Sequence, residues 1–272
     1  MPMTARPASR IGRALAACAV VFLLAACANV ASFPDAGARA ALAPTGKLRV
    51  GLYRGSPTSY IAGDAGGEAR GVSHDLGREL ATRLGVPFEP TVHANNAQLL
   101  DAVKAGTVDV ILTNATADRK RFIDFTDTVL LIEKSYLVPA GSPIPDAAAV
   151  DRAGVRVGVS QGSSSQKELA AELHHASIVP VPTLKEASRM LAAGSLDAFG
   201  TNNAILFEMS DGLPGSRVLP GRWGLETFAL GTPKGRGDGI RYLQSFARSV
   251  RSDGTVARAV AKAGVRGTTD RE

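Results

Sequence analysis

Asn114, Thr116 and Arg119 place an amide, a hydroxyl and a guanidinium close together in the chain, and such donors suit the capture of a small anion. They follow Val108, Val110 and Leu112, whose alternation reads as a strand, so they stand at its C-terminal end, where open α/β sheets bind small molecules. Taken singly, Arg119 could equally be a solvated loop arginine. A second group is Ser163, Ser164 and Ser165, which end the turn Val157-Gly158-Val159-Ser160-Gln161-Gly162-Ser163-Ser164-Ser165. A helix starting there would offer unpaired N–H groups and partial positive charge to an anion. Ser165 with Glu168 also fits a capping box, and a capping turn is what exposes the remaining amides.

Other chemistries find less support. Gly158 to Gly162 matches the G-x-S-x-G of a nucleophile elbow, but only His174 and His175 follow Ser160 and no aspartate lies between. His74 and His93 are isolated and the adjacent His174 and His175 would diverge on a helix, so neither metal nor cofactor is expected. Basic residues are scattered among acids with no aromatic-basic stripe, which argues against nucleic acid as a partner.

The elements that must position these residues form two similar halves. In the first, Leu48, Val50 and Leu52 alternate as a strand, and Leu76, Leu80 and Leu84 give a helix closed by Gly85. Leu99, Leu100 and Val103 share a helical face, with Asn96 able to cap its start and Gly106 its end. The second half repeats the order: a strand at Val155, Val157 and Val159, a helix through Leu173, a strand from Ile178 to Val181, a capping box at Thr183 to Glu186, a helix to Gly194 and a strand from Leu196 to Gly200. Strands alternating with helices imply α/β lobes with parallel sheets, here two lobes facing one cleft.

Gly106-Thr107-Val108-Asp109, Thr116 to Arg119 and Asp124-Phe125-Thr126-Asp127 together resemble the V-D, T-x-x-R and D-F-[ST]-D signature of the bacterial extracellular solute-binding proteins, family 3. The resemblance runs from Lys47 to about Val265 and includes Ser252-Asp253-Gly254-Thr255, similar to the family's K-x-D-G-T. It implies a two-lobed, type II periplasmic-binding-protein-like α/β fold, each lobe a mostly parallel sheet flanked by helices, and a monomer working with an ABC importer permease. The chain would cross between lobes at Glu133 to Ala140 and Arg222 to Pro233, and return with Ile240, Leu243, Phe246 and Val250 as a core face. The resemblance also gives Arg119 the solute's α-carboxylate, with the amides at Ser163 to Ser165 meeting the same group.

Departures bear on the solute. Where amino-acid binders of this family place an aspartate for the α-ammonium, counting from Asp197 reaches Asn202, which can accept a hydrogen bond but adds no charge. The chain most resembles the glutamate/aspartate branch through Gly71-Val72-Ser73-His74-Asp75 and Val92-His93-Ala94-Asn95-Asn96, with Asn96 where that branch has an arginine near an acidic side chain. Arg54 to Tyr60 resembles the branch's arginine followed by P-F-S-Y. Arg54 is therefore a second anion handle or a solvated loop residue, and Tyr60 lines the cleft or covers the first lobe.

Arg6, Arg10 and Arg13 precede an apolar run from Leu15 to Ala26, too short to span a bilayer, that ends in Leu24-Ala25-Ala26-Cys27. This reads as a lipoprotein signal over 1–26, with Cys27 the lipidated residue and an extracytoplasmic, membrane-anchored product. Cys18 leaves with the signal, so no internal disulfide is possible, and losing three arginines lowers the formal charge from +6 to +3. The expected organisation is a tether over 27–45, lobe one at 46–136 and again at 225–266, lobe two at 137–224, and a tail at 267–272. The expected function is capture of a small carboxylate-bearing, amino-acid-like or polar solute by lobe closure, without catalysis. A cyclohexadienyl-dehydratase-like enzyme, with Glu168 and Glu208 as available acids, and a binder serving a membrane receptor are the alternatives.

Overall fold

A computed structural model describes residue 1 and residues 36–63 and 67–270. The expected signal and Cys27 lie outside the described residues. The far end of the expected tether is helical instead: α1 (Ala36–Leu42) buries Ala38 and Leu42. Its alanine-rich sequence favours helix, and those two residues stand four apart on one face. Arg236 donates from Nη1 to the Ala41 carbonyl at 3.0 Å and fixes its end.

The first half then runs β1 (Leu48–Tyr53), α2 (Val72–Leu84), β2 (Phe88–His93), α3 (Asn96–Lys104) and β3 (Ile111–Asn114). The second half follows a long strand, β4 (Ile123–Val138), with β5 (Arg156–Ser160), α4 (Ser164–Glu172), β6 (Ser177–Val181), α5 (Leu184–Ala192), β7 (Ala198–Asn202), α6 (Asn203–Asp211) and β8 (Arg217–Val218). β9 (Gly224–Pro233) leads back, and α7 (Gly237–Ser252) and α8 (Thr255–Ala263) bring Leu243, Phe246, Val250 and Val256 into the core built on β1 and α2.

β1 pairs with β2 in parallel, and so does β5 with both β6 and β7. β4 and β9 are antiparallel to each other, and β3 and β7 join their outer edges antiparallel, giving the order β3-β9-β4-β7-β5-β6 with β8 on β4. The sheet is thus mixed, because a strand that leads out of one half and a strand that leads back pair as a ribbon. Register shifts interrupt that ribbon between Phe125 and Thr128 and between Thr128 and Leu130, whereas Leu130 to Lys134 pair without interruption with Phe228 to Gly224.

Neighbouring residues serve opposite faces, as strand geometry requires. Tyr136, Val157, Val159 and Ala198 join one core of the second half with Leu169, while Leu137 and Phe199 join another with Leu191, Leu196 and Leu206. Both faces are covered, as expected of an α/β sheet.

The two halves repeat one another at the level of atoms. Arg49 donates to Asp109 Oδ2 from its backbone N (3.0 Å) and Nε (2.8 Å), and to the Gly106 carbonyl from Nη2 (2.9 Å). Arg156 does the same with Asp197 (2.8 and 2.9 Å) and the Gly194 carbonyl (2.6 Å). Each arginine is followed two residues later by a glycine with no room for a Cβ: at Gly51 it would meet Leu99 at 2.4 Å, and at Gly158 it would meet Leu196 at 2.5 Å. The clamps differ in burial. Asp109 is fully buried and also accepts from Arg236 (2.8 Å), whereas the Arg156–Asp197 pair is partly exposed.

Asp109→Ala therefore leaves two guanidinium groups facing a buried gap and should cost about 3 kcal/mol or more in chemical denaturation. Asp197→Ala should cost markedly less, because water already competes for that pair.

Candidate functional site

A cavity of about 40 Å³ lies between the two halves, at the C-terminal ends of β1, β3, β5 and β7. Arg119 enters from the short 3-10 turn Arg119–Arg121 that follows β3. Nη1 donates to Thr113 Oγ1 (2.7 Å) and to the Asn114 carbonyl (3.0 Å), which folds the side chain back over the strand end. Neither bond uses Nε or Nη2. The residue is 6% exposed, and among the described residues it has no ion-pair partner. Burial pushes its pKa below the ordinary arginine value, with the charge of Glu226 opposing.

The second half contributes the start of α4. Ser163 caps it, accepting from Gln166 N at 3.1 Å, while Gln166 Oε1 accepts from Gly162 N at 2.7 Å. The capping box expected at Ser165 and Glu168 thus falls two residues earlier, because Ser163 is the residue with extended backbone whose side chain reaches the third amide of the helix. Ser165 sits inside the first turn, buried, with its hydroxyl unpartnered and away from the cavity lining. Ser164 links the halves: its Oγ accepts from Asn114 Nδ2 and donates to Glu226 Oε1, both at 3.2 Å.

Glu226 on β9 is 5% exposed and lines the cavity. Its other oxygen accepts from Asn202 Nδ2 at 2.9 Å. Asn202 Oδ1 accepts from Ile205 N at 3.1 Å, capping α6. The carbonyl oxygen expected to face an ammonium is thus engaged by the helix, and the amide nitrogen by Glu226. Burial raises the Glu226 pKa, opposed by the positive charges of Lys134 and Arg119. Lys134 on β4 is 3% exposed, pairs with Glu168 and lies 4.3 Å from the centre of the Trp223 ring.

The structure brings Arg54, Asn96, Asn114, Arg119, Ser163, Ser164 and Asn202 to the cavity lining. Three expected residues stand elsewhere. Thr116 Oγ1 accepts from Arg119 N at 3.4 Å and lines an adjoining groove with Arg119, Ser163 and Ser164. Ser165 points inward as described. Tyr60 packs edge-on to His74, ring centres 5.9 Å apart, against the first core, because its aromatic ring is better buried there than in a polar cleft. The cap of α3 is Asn95, not Asn96: Asn95 holds the extended backbone and accepts from Gln98 N at 2.9 Å. Asn95 Nδ2 also donates to the Pro182 carbonyl across the cleft at 3.0 Å.

Sequence reasoning missed Tyr53, Phe228 and above all Glu226. The signal was present: Glu226 is the single acid in the apolar segment Trp223 to Leu230, and it shares a strand face with Phe228. Among the described residues there is no cluster of three or more His, Cys, Asp or Glu placed to hold a metal.

Similar proteins include the ABC transporter glutamine-binding protein GlnH of Bacillus subtilis (strain 168), 24% identical over 247 residues, 86% of this chain and 89% of that one. Among solved structures, a mutant of ArgBP from T. maritima matches with a TM-score of 0.73 at 22% identity, covering 81% of this chain and 96% of the other. The ancestral amino acid-binding protein AncCDT-1, a precursor of cyclohexadienyl dehydratase, matches with a TM-score of 0.69 at 22% identity, covering 80% and 96%. These likenesses show the type II periplasmic-binding-protein fold. Residues 48–264 match the model of the bacterial extracellular solute-binding proteins, family 3, and the chain belongs to that family.

Proposed function

We propose that the chain is a lipid-anchored solute-binding protein of an ABC importer, and that it captures a small carboxylate-bearing, amino-acid-like or polar solute by closing two lobes on it. The observation that carries this reading is Arg119, a buried guanidinium that faces a cavity and, among the described residues, has no ion-pair partner. Such a charge is costly to keep from water unless an anion meets it, and a carboxylate fits the donor fork of Nε and Nη2. Ser163, Ser164 and the amides at the start of α4 would meet the solute from the other lobe, with Arg54 and Asn96 on the rim. Relatives named for binding glutamine support an amino-acid-like solute.

We assign 46–136 and 225–266 to the first lobe and 137–224 to the second. The contacts Asn114–Ser164 and Asn95–Pro182 then join the lobes across the cavity. A cavity of about 40 Å³ holds only a few water-sized groups. A larger solute must part those contacts to enter, and it favours closure by contacting both lobes only when they meet. The proposed anchor is lipid on Cys27; among the described residues no helix is long and apolar enough to cross a membrane.

The dehydratase-like alternative requires an acid at the cavity. Glu168 and Glu208 are held in ion pairs with Lys134 and Arg70 and do not line it, but Glu226 does. Prephenate or arogenate turnover measures this directly, and none is expected.

Calorimetry and thermal unfolding against the twenty common L-amino acids and small carboxylates test the main reading. Saturation at one hundred times Kd should stabilise the wild type by about 2.7 kcal/mol. Arg119→Met should weaken the best binder at least about 30-fold, or ~2 kcal/mol, without unfolding the protein. Unchanged affinity would remove Arg119 from recognition. For the anchor, Cys27→Ala should abolish incorporation of labelled fatty acid and release the protein from the membrane fraction.

A further inference from the structure

Four buried or half-buried charges surround the cleft: Arg119, Lys134, Glu168 and Glu226. Lys134 and Glu168 form a direct ion pair. Among the described residues, neither Arg119 nor Glu226 has an ionic contact, though both are about nineteen-twentieths buried and line one cavity. These four charges sum to zero, Arg54 adds an exposed positive charge at the rim, and among the described residues Arg119 and Glu226 are the buried charges of opposite sign left without a direct ionic contact.

The placement of Glu226 is specific. β9 pairs with β3, and Asn114 lies opposite Phe228, so Glu226 stands two residues past the end of β3, on the same face as Phe228, where the turn carrying Arg119 begins. Both its oxygens accept hydrogen bonds, from Asn202 Nδ2 and Ser164 Oγ, and both donors come from the second half. They fix the carboxylate at the cavity wall and favour its charged form. Each oxygen keeps lone pairs that a further donor can reach. Burial disfavours the charged carboxylate and raises its pKa, opposed by the positive charges of Lys134 and Arg119.

We propose that Glu226 is the cation-anchoring residue of this cleft, and that it selects solutes carrying an ammonium group as well as the carboxylate that Arg119 takes. This rests on the Arg119 reading of the cleft. The ammonium donates to the Glu226 carboxylate from β9, and Asn202 acts through Glu226 as a positioning residue. A zwitterion meets both of these charges at once, whereas a plain carboxylate leaves Glu226 unmet.

The test compares the wild type's tightest-binding L-α-amino acid, from the panel of twenty, with its 2-hydroxy-acid analogue, which keeps the carboxylate and side chain and replaces the ammonium by a hydroxyl. Wild type should prefer the amino acid at least about 30-fold. Glu226→Gln should remove that preference by weakening the amino acid while changing the hydroxy acid less than about threefold. The swap Glu226→Gln/Asn202→Asp returns an acid to the same pair of positions and should restore the preference; a merely structural Glu226 predicts no such rescue. Equal wild-type affinity for the two acids overturns the proposal and leaves the carboxylate reading standing, as does a Glu226→Gln protein that keeps its preference. If neither class binds, or if Arg119→Met binds both as well as wild type, the carboxylate reading fails and the proposal fails with it. Should Glu226→Gln not fold, Glu226→Asp, which keeps the charge but draws it back from the cavity, takes its place: a reduced preference for the amino acid supports the proposal and an unchanged one overturns it.

Discussion

The antiparallel ladder of β4 and β9 is the one element that both halves share, and the cleft takes its shape from it. The turn that carries Arg119 leads directly into β4. Lys134 lies further along the same strand, opposite both Asn202 on β7 and Gly224 on β9. Glu226 lies two residues past that junction, opposite Ile132. One ribbon thus delivers a lysine and a glutamate from its own residues and supports an arginine at one end and an asparagine at its edge. Packing of the two halves on either side then decides which of these charges is left dry.

Two kinds of buried charge coexist in this chain. The Arg49–Asp109–Arg236 group is saturated: each aspartate oxygen is met, and the group closes the base of the first half. Arg119 and Glu226 are positioned with equal care by neutral neighbours, Thr113 and Asn114 for one and Asn202 and Ser164 for the other. Neutral partners orient a charge without cancelling it. The first arrangement closes a charge group within the fold, and the second leaves two buried charges at the cavity wall.

Much of this was legible in the sequence because it is local. Leu76, Leu80 and Leu84 fix α2, Gly85 ends it in the left-handed conformation, and Thr183 caps α5 by accepting from Glu186 N. The residues around Arg119 are contiguous, so their spacing already carried their geometry. Caps were misjudged by one or two residues, Asn95 for Asn96 and Ser163 for Ser165, because neighbouring polar residues offer the same side-chain chemistry and only the backbone dihedrals choose between them. Tyr60 was ambiguous since local spacing does not say whether an aromatic ring faces a core or a cleft. Glu226 was missed because its meaning depends on β3, α4 and β7, three elements distant in the chain. The antiparallel pairing of β4 with β9 is likewise a long-range fact that strand and helix alternation does not encode.

The register shifts of β4 all lie between Phe125 and Leu130, on the first-half side of the ribbon, whereas Leu130 to Lys134 are paired residue for residue with β9. A connector of two hydrogen-bonded strands is held by its own main-chain ladder and not only by the side chains it carries. The halves are therefore joined by main-chain hydrogen bonds as well as by the side-chain contacts across the cleft. Ser164 and Asn114 stand 3.2 Å apart on halves that one pair of strands already joins, so the precision of the site belongs to the connector as much as to any one contact across the cleft.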